Sequence, residues 1–293
     1  TLNIQQNATL TSSANNFKSA ITNQGTLNLT TGVLNTAITG NGSTVIKGDV
    51  ASNVKLTQSS INIFDTGVLN ISANNISLNN SSSHIINNGV LHLTSGQLNY
   101  VVDGSGMLRT EAGVTITINN YINQEIDNKS SESYPLRILN AEHLKGTVNG
   151  GWMNIYSGTV DVITTGSWNI YGTVVVNTPA RNWVYVRSGS LTIGVNNFIS
   201  GGAFAIWNGA NINLTGTGSL NKSCHVLGSS PSSFGNLNIV NDITFNRSQY
   251  SNVVVLNGGI LRSNIAYLIN NITNNGSYYM NGTLSKTLAG TGT

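Results

Sequence analysis

The sequence predicts an all-β solenoid, in which short strands coil repeatedly into a stack, and three observations lead there. The first is a repeated strand grammar. In residues 25–50, GTLNLTTGVLNTAITGNGSTVIKGDV, Leu27 and Leu29 alternate with Thr26 and Asn28, Leu34, Ala37 and Ile38 follow a Gly, and Val45 and Ile46 follow Asn41-Gly42. A period of two marks strands buried on one face, and Gly and Asn supply the positive φ needed at the corners between them.

The second observation is spacing. Gly, a small or apolar residue, an apolar, a polar and another apolar residue recur at Gly67-Val68-Leu69-Asn70-Ile71, Gly89-Val90-Leu91-His92-Leu93, Gly166-Ser167-Trp168-Asn169-Ile170 and Gly189-Ser190-Leu191-Thr192-Ile193. Gly25 to Gly42, Gly89 to Gly106, Gly172 to Gly189, Gly218 to Gly235 and Gly259 to Gly276 are each 17 apart. Coils of about 20 residues with no helical stretch between them are the mark of a solenoid. The third is composition: 8% of the 293 residues are charged and only 3 are Pro, whereas 32 are Gly. So few charges leave no material for ordinary helix surfaces, and a chain 39% hydrophobic is kept wet by neutral Asn, Ser and Thr.

Taken in order, residues 1–118 read as a first block of coils, with Asn15-Asn16, Asn74-Asn75, Asn79-Asn80 and Asn87-Asn88 as corners. From 119 to 151 the pattern breaks: Glu125, Asp127, Lys129, Glu132, Arg137, Glu142, His143 and Lys145 crowd together, and Pro135 would interrupt a ladder. This segment is expected to be an irregular loop or excursion, with a short helix near Ala141 to Leu144. A second block follows from Trp152 to the end, and the shared repeat predicts a single domain over 1–293. The chain begins within strand-like sequence and stops at Gly290-Thr291-Gly292-Thr293, so it is expected to be a fragment of a longer protein.

The net charge of +3 is spread over distant positions, which argues against a nucleic-acid footprint. The single cysteine, Cys224, rules out an internal disulfide and reads as a small core residue. The four histidines show no ligand spacing, so no metal and no cofactor is expected. No apolar run is long enough to span a bilayer as a helix. Asp103-Gly104-Ser105-Gly106 has the wrong order for a serine-hydrolase motif and reads as a turn, as does Lys47-Gly48-Asp49.

The repeats GTLNLTTG, GNGSTVIKGDV and GVLNISANN resemble the passenger regions of bacterial autotransporters and, less closely, the haemagglutinin-type exoproteins of two-partner secretion. The resemblance covers most of the chain. It implies a right-handed parallel β-helix, secreted or on the surface of a Gram-negative cell, serving adhesion, aggregation or contact with a host-cell or bacterial surface protein or glycan. The cysteine-poor composition agrees with it, while the sequence departs from the pattern in showing no signal sequence, no membrane-barrel strands and no Asn-Pro motif of a secretion domain. Two other readings stay open. One is a carbohydrate-active β-helix enzyme, a polysaccharide lyase or glycoside hydrolase, which would need clustered carboxylates among only ten, with Glu125 and Asp127 the one pair sharing a strand face. The other is a fibre subunit associating end to end. No catalytic residue is assigned.

Strand parity locates the expected contact surface. If the second and fourth residues after Gly point inward, Trp168 and Ile170 are core, Met153 and Ile155 leave Trp152 and Tyr156 outside, and Val184 and Val186 leave Trp183, Tyr185 and Arg187 outside. Exposed aromatics beside Arg suit stacking on a sugar or anchoring a protein. The competing arrangement has the 119–151 segment folding back over these rings.

Overall fold

The computed structural model describes residues 1–80, 82–180, 182–197, 204–207, 209–227, 235–264, 268, 270–282 and 287–293. The chain is all-β, with parallel strands stacked coil on coil as a β-solenoid. Residues 1–139 with 143–152 form one compact unit, and residues 140–142 with 153–293 form a second.

In the first unit each coil lays a strand parallel to its predecessor: Leu2 pairs with Ile21, Ile21 with Ile38, Ile38 with Leu56 and Leu56 with Ile76. Because like positions stack, inward residues form continuous apolar columns, for instance Leu69, Leu91, Leu108, Ile126 and Val148, all fully buried. Burial of each such side chain is worth about 1.5–3 kcal/mol. Leu27 and Leu29 point inward with no exposed surface, as parity requires.

Glycine sets how closely coils approach. A Cβ on Gly42, Gly106, Gly189 or Gly276 would run into the carbonyl oxygen of Gly25, Gly89, Gly172 or Gly259 in the coil before. Four of the five 17-residue intervals are therefore true coil repeats. The fifth is not: the coil there spans 25 residues, with Asn211 paired to Asn236 and Gly218 to Ile243, and Gly235 abuts the backbone of Trp207 and Ala210 instead of Gly218.

A second recurring corner buries amides. Asn23, Asn87 and Asn274 each open an Asn-x-Gly triplet, and each backbone carbonyl accepts a hydrogen bond from the second Gly of a Gly-x-Gly one coil later, at Gly42, Gly106 and Gly292 (2.8–2.9 Å). The Asn23 amide donates to Gln58 Oε1 at 2.6 Å and the Asn87 amide to Gln124 Oε1 at 2.7 Å, all within the fully or almost fully buried interior. The Asn23 side chain, whose oxygen also accepts from the Gly25 N–H, thereby avoids the penalty of a lone buried polar group, whereas Asn87 Oδ1 is buried without a hydrogen-bond partner among the described residues. Gly104 of the Asp103-Gly104-Ser105-Gly106 stretch sits at φ +115°, which makes that stretch the turn expected.

The segment 119–151 corrects an expectation. Rather than leaving the stack as a whole, it carries the strands Glu125–Asp127, Leu136–Ile138 and Val148–Asn149, in register with neighbouring coils through Met107 and Glu125, Ile116 and Leu136, and Ile126 and Val148. Pro135 immediately precedes its strand, where no ladder bond is lost. The irregular part is the corner 128–135. The equivalent corner is absent two coils earlier, where Val90–Leu98 is one strand, and spans 111–115 in the coil between. The short helix is present as a 3-10 turn, Ala141–His143.

The second unit repeats the plan. Trp168, Val184, Phe204 and Cys224 form one inward column, and Val174, Leu191, Ile212, Leu237, Val253 and Ile272 another. Cys224 is buried, and burial pushes its thiol pKa up to about 12.

Candidate functional site

One outward column of the first unit and one outward group of the second differ in chemistry. In the first unit the register aligns Asn70, His92, Arg109, Asp127 and Asn149 in one outward column. Its members bind one another. Asn70 donates to Asp49 at 3.0 Å and lies 2.7 Å from His92 Nδ1, while His92 Nε2 meets Glu111 at 3.1 Å. Arg109 Nε and Lys129 Nζ grip Asp127 at 2.9 and 2.7 Å, and Glu125 accepts from the Asn149 amide.

Burial pushes the Asp127 carboxyl upward, but the bonds from Lys129 and Arg109 outweigh it and hold the group below the usual carboxylate range. Burial lowers the His92 pKa, against the opposing pull of Glu111. A carboxylate held ionised between two cations is the opposite of a general acid, whose pKa must be raised. Among the described residues, no group of three or more His, Cys, Asp or Glu is placed to hold a metal ion.

In the second unit one group of outward positions is aromatic. Met153, Ile155, Trp168, Ile170, Val184 and Val186 all point inward, as parity predicts. Tyr156 and Tyr171, on adjacent coils, stack with ring centroids 5.4 Å apart and planes 18° off parallel. Trp183 and Tyr185 stack at 5.9 Å and 22°. Arg187 joins the rings: its guanidinium lies 3.9 Å from the Trp207 ring centroid and 5.1 Å from that of Tyr185, and its Nε donates to Asn169 Oδ1 at 2.9 Å. Asn169 in turn donates to Asn154 at 3.0 Å, so a buried amide pair anchors the guanidinium from beneath.

Of the five residues expected outside, Tyr156, Trp183, Tyr185 and Arg187 therefore lie on this face. Trp183 is exposed (43%), whereas Tyr156, Tyr185 and Arg187 are half-buried by their stacking. Trp152 belongs to the first unit, where it is half-buried and its backbone exchanges hydrogen bonds with the Ser130 hydroxyl at 2.6 and 3.2 Å. Trp207 completes the Arg187 cluster, and Tyr171, 38% exposed, completes the stacked pair with Tyr156. The same parity, carried one residue beyond Ile170, would have placed Tyr171 outside. Trp207 is masked in sequence by the apolar run Phe204-Ala205-Ile206 that precedes it.

Such a surface has rings pre-set by stacking and a planar cation fixed by a buried amide, so its side chains lose little freedom when a partner binds. It offers flat apolar faces and hydrogen-bond donors together. In comparisons with protein-family models, curated proteins and solved structures, nothing matches this chain.

Proposed function

We propose that the chain is a non-catalytic, secreted or cell-surface β-helical passenger of a Gram-negative bacterium that holds a host-cell or bacterial surface protein or glycan. The observation that carries this reading is the cluster of Trp183, Tyr185 and Trp207 with Arg187, beside the stacked pair Tyr156 and Tyr171, on a parallel sheet. Trp, Tyr and Arg side chains are the types that most often dominate binding energy once a partner buries them. The repeat grammar that resembles autotransporter passengers supports the location, and the ion-paired state of Asp127 supports a role without acid–base catalysis. End-to-end association belongs to the same proposal, because a parallel coil stack grows by adding strands at its edges.

Beads coated with the chain test it against cultured epithelial cells and against bacterial cells. Retention well above that of albumin-coated beads, competed by soluble chain, is the expected result. Retention no greater than albumin on either cell type would sink the proposal.

A further inference from the structure

A second outward surface of the second unit has a different chemistry. The strands Asp242–Phe245, Ile260–Asn264 and Ser277–Asn281 stack in parallel, with Thr244 opposite Arg262 and Arg262 opposite Tyr279. One pleat further along, Asn264 lies opposite Asn281, and Asn246 follows Phe245 in the coil before. Two outward rows result, hydroxyl, guanidinium and phenol on one side and three amides on the other. A groove of about 400 Å³ runs between them. The buried Ser263 forms part of its floor.

Arg262 does not present a bare charge to this groove. Asp242 holds it through two parallel hydrogen bonds, Nε to Oδ1 at 3.1 Å and Nη2 to Oδ2 at 3.0 Å. The guanidinium so fixed lies 4.8 Å from the Tyr279 ring centroid, which sets the ring's orientation while 57% of Tyr279 stays in water. Across the groove, Asn246 donates to Asn221 of the coil before at 2.8 Å, which orients that amide. An amide has two donor hydrogens and two acceptor lone pairs, so the single bond from Asn246 to Asn221 does not exhaust the Asn246 side chain.

From this arrangement we infer that the groove is a binding site for a neutral oligosaccharide chain, separate from the Trp183 cluster. An oriented tyrosine takes the C–H face of a sugar ring, and a row of amides meets its hydroxyls, each of which both donates and accepts. Successive rungs lie about 4.8 Å apart, close to the length of one pyranose residue, so adjacent amides can address adjacent sugars. The Arg262–Asp242 pair is internally neutral, which favours an uncharged glycan over an acidic one.

Affinity electrophoresis of the intact chain in gels containing dextran, mannan, a mixed-linkage β-glucan or polygalacturonate tests the inference. At least one neutral polysaccharide should retard the protein. Tyr279→Ala should weaken that retardation about tenfold or more, Tyr279→Phe should keep most of it, and Trp183→Ala with Tyr185→Ala should leave it unchanged. These variants separate the groove from the adhesive cluster, since either site can fail while the other holds. No retardation by any neutral polymer, retardation by polygalacturonate alone, or equal retardation of Tyr279→Ala would each overturn it. So would a wild-type chain that is not retarded but loses self-association in sedimentation when Tyr279 becomes Ala, because the ring would then be a coil-stacking contact.

Discussion

The outward ladder of the first unit consumes its own chemistry, whereas that of the second leaves chemistry over. Arg109, Lys129 and Asp127 answer one another, as do His92, Glu111 and Asn70. Trp183, Tyr171 and Tyr279 cannot be answered in that way, because a ring stacked on one side still turns apolar surface to water. The interiors are alike: mostly apolar columns, one residue per coil, aliphatic in the first unit and mixed with Trp168, Phe204 and Cys224 in the second, locked by glycines at the close approach. A solenoid thus separates its tasks by strand face, with inward positions fixing the fold and outward positions free to become ion pairs or a contact surface.

The largest expected effect would break the claim of a shared interior. Gly89→Ala in the first unit and Gly189→Ala in the second each place a methyl against backbone of the preceding coil, and Gly189 also sits at φ +74°. Each should cost about 3 kcal/mol or more in chemical denaturation. A variant that costs nothing would show that the coils of that unit can spread. Far smaller is the effect of Arg109→Ala: Lys129 still holds Asp127 at 2.7 Å, and a partly exposed pair of this kind is worth about 1 kcal/mol. Loss of adhesion in this variant would contradict the assignment of the first ladder to internal pairing.

Response to pH sharpens the same contrast. In the first unit the folded pKa values of His92 and Asp127 lie below their ordinary values of 6.5 and 3.8. The stability they lend is present above those values and is lost as pH falls through the lowered ones, so amide protection over residues 85–127, taken relative to the intrinsic exchange rate at each pH, should fall in acid. In the second unit the Cys224 thiol is raised from 9.0 to about 12, so its contribution is complete below pH 9 and is lost as the pH climbs toward 12. Alkylation of Cys224 should therefore accelerate over that alkaline window by more than thiolate formation in an unfolded peptide explains. Equal acid and alkaline sensitivity of both units would remove the distinction.

Much of this was legible in the sequence because parity and glycine spacing are local. They placed Leu27, Leu29, Trp168, Ile170, Val184 and Val186 inside, and Trp183 outside. What failed needed register between coils. The strands in 119–151 are two or three residues long and flanked by charges, so Ile126, Leu136, Ile138 and Val148 were too few to show a period. Gly218 and Gly235 matched the spacing by coincidence inside a 25-residue coil. Arg187 meets Trp207 only because Val184 aligns with Phe204 twenty positions on, and no local pattern states that alignment. The groove at Tyr279 depends likewise on Thr244, Arg262 and Tyr279 sharing a column across coils of unequal length.

The central claim, that the aromatic ladder binds while the ionic ladder holds only itself, is tested most directly by the double variant Trp183→Ala, Tyr185→Ala. Bead adhesion and thermal unfolding are measured on the same preparation, beside Arg109→Ala. The account predicts at least about tenfold weaker adhesion for the aromatic variant, with a Tm within about 2 °C of the parent and adhesion of Arg109→Ala unchanged. A fall of Tm by about 5 °C or more, with adhesion per folded molecule intact, would contradict it and make the rings packing.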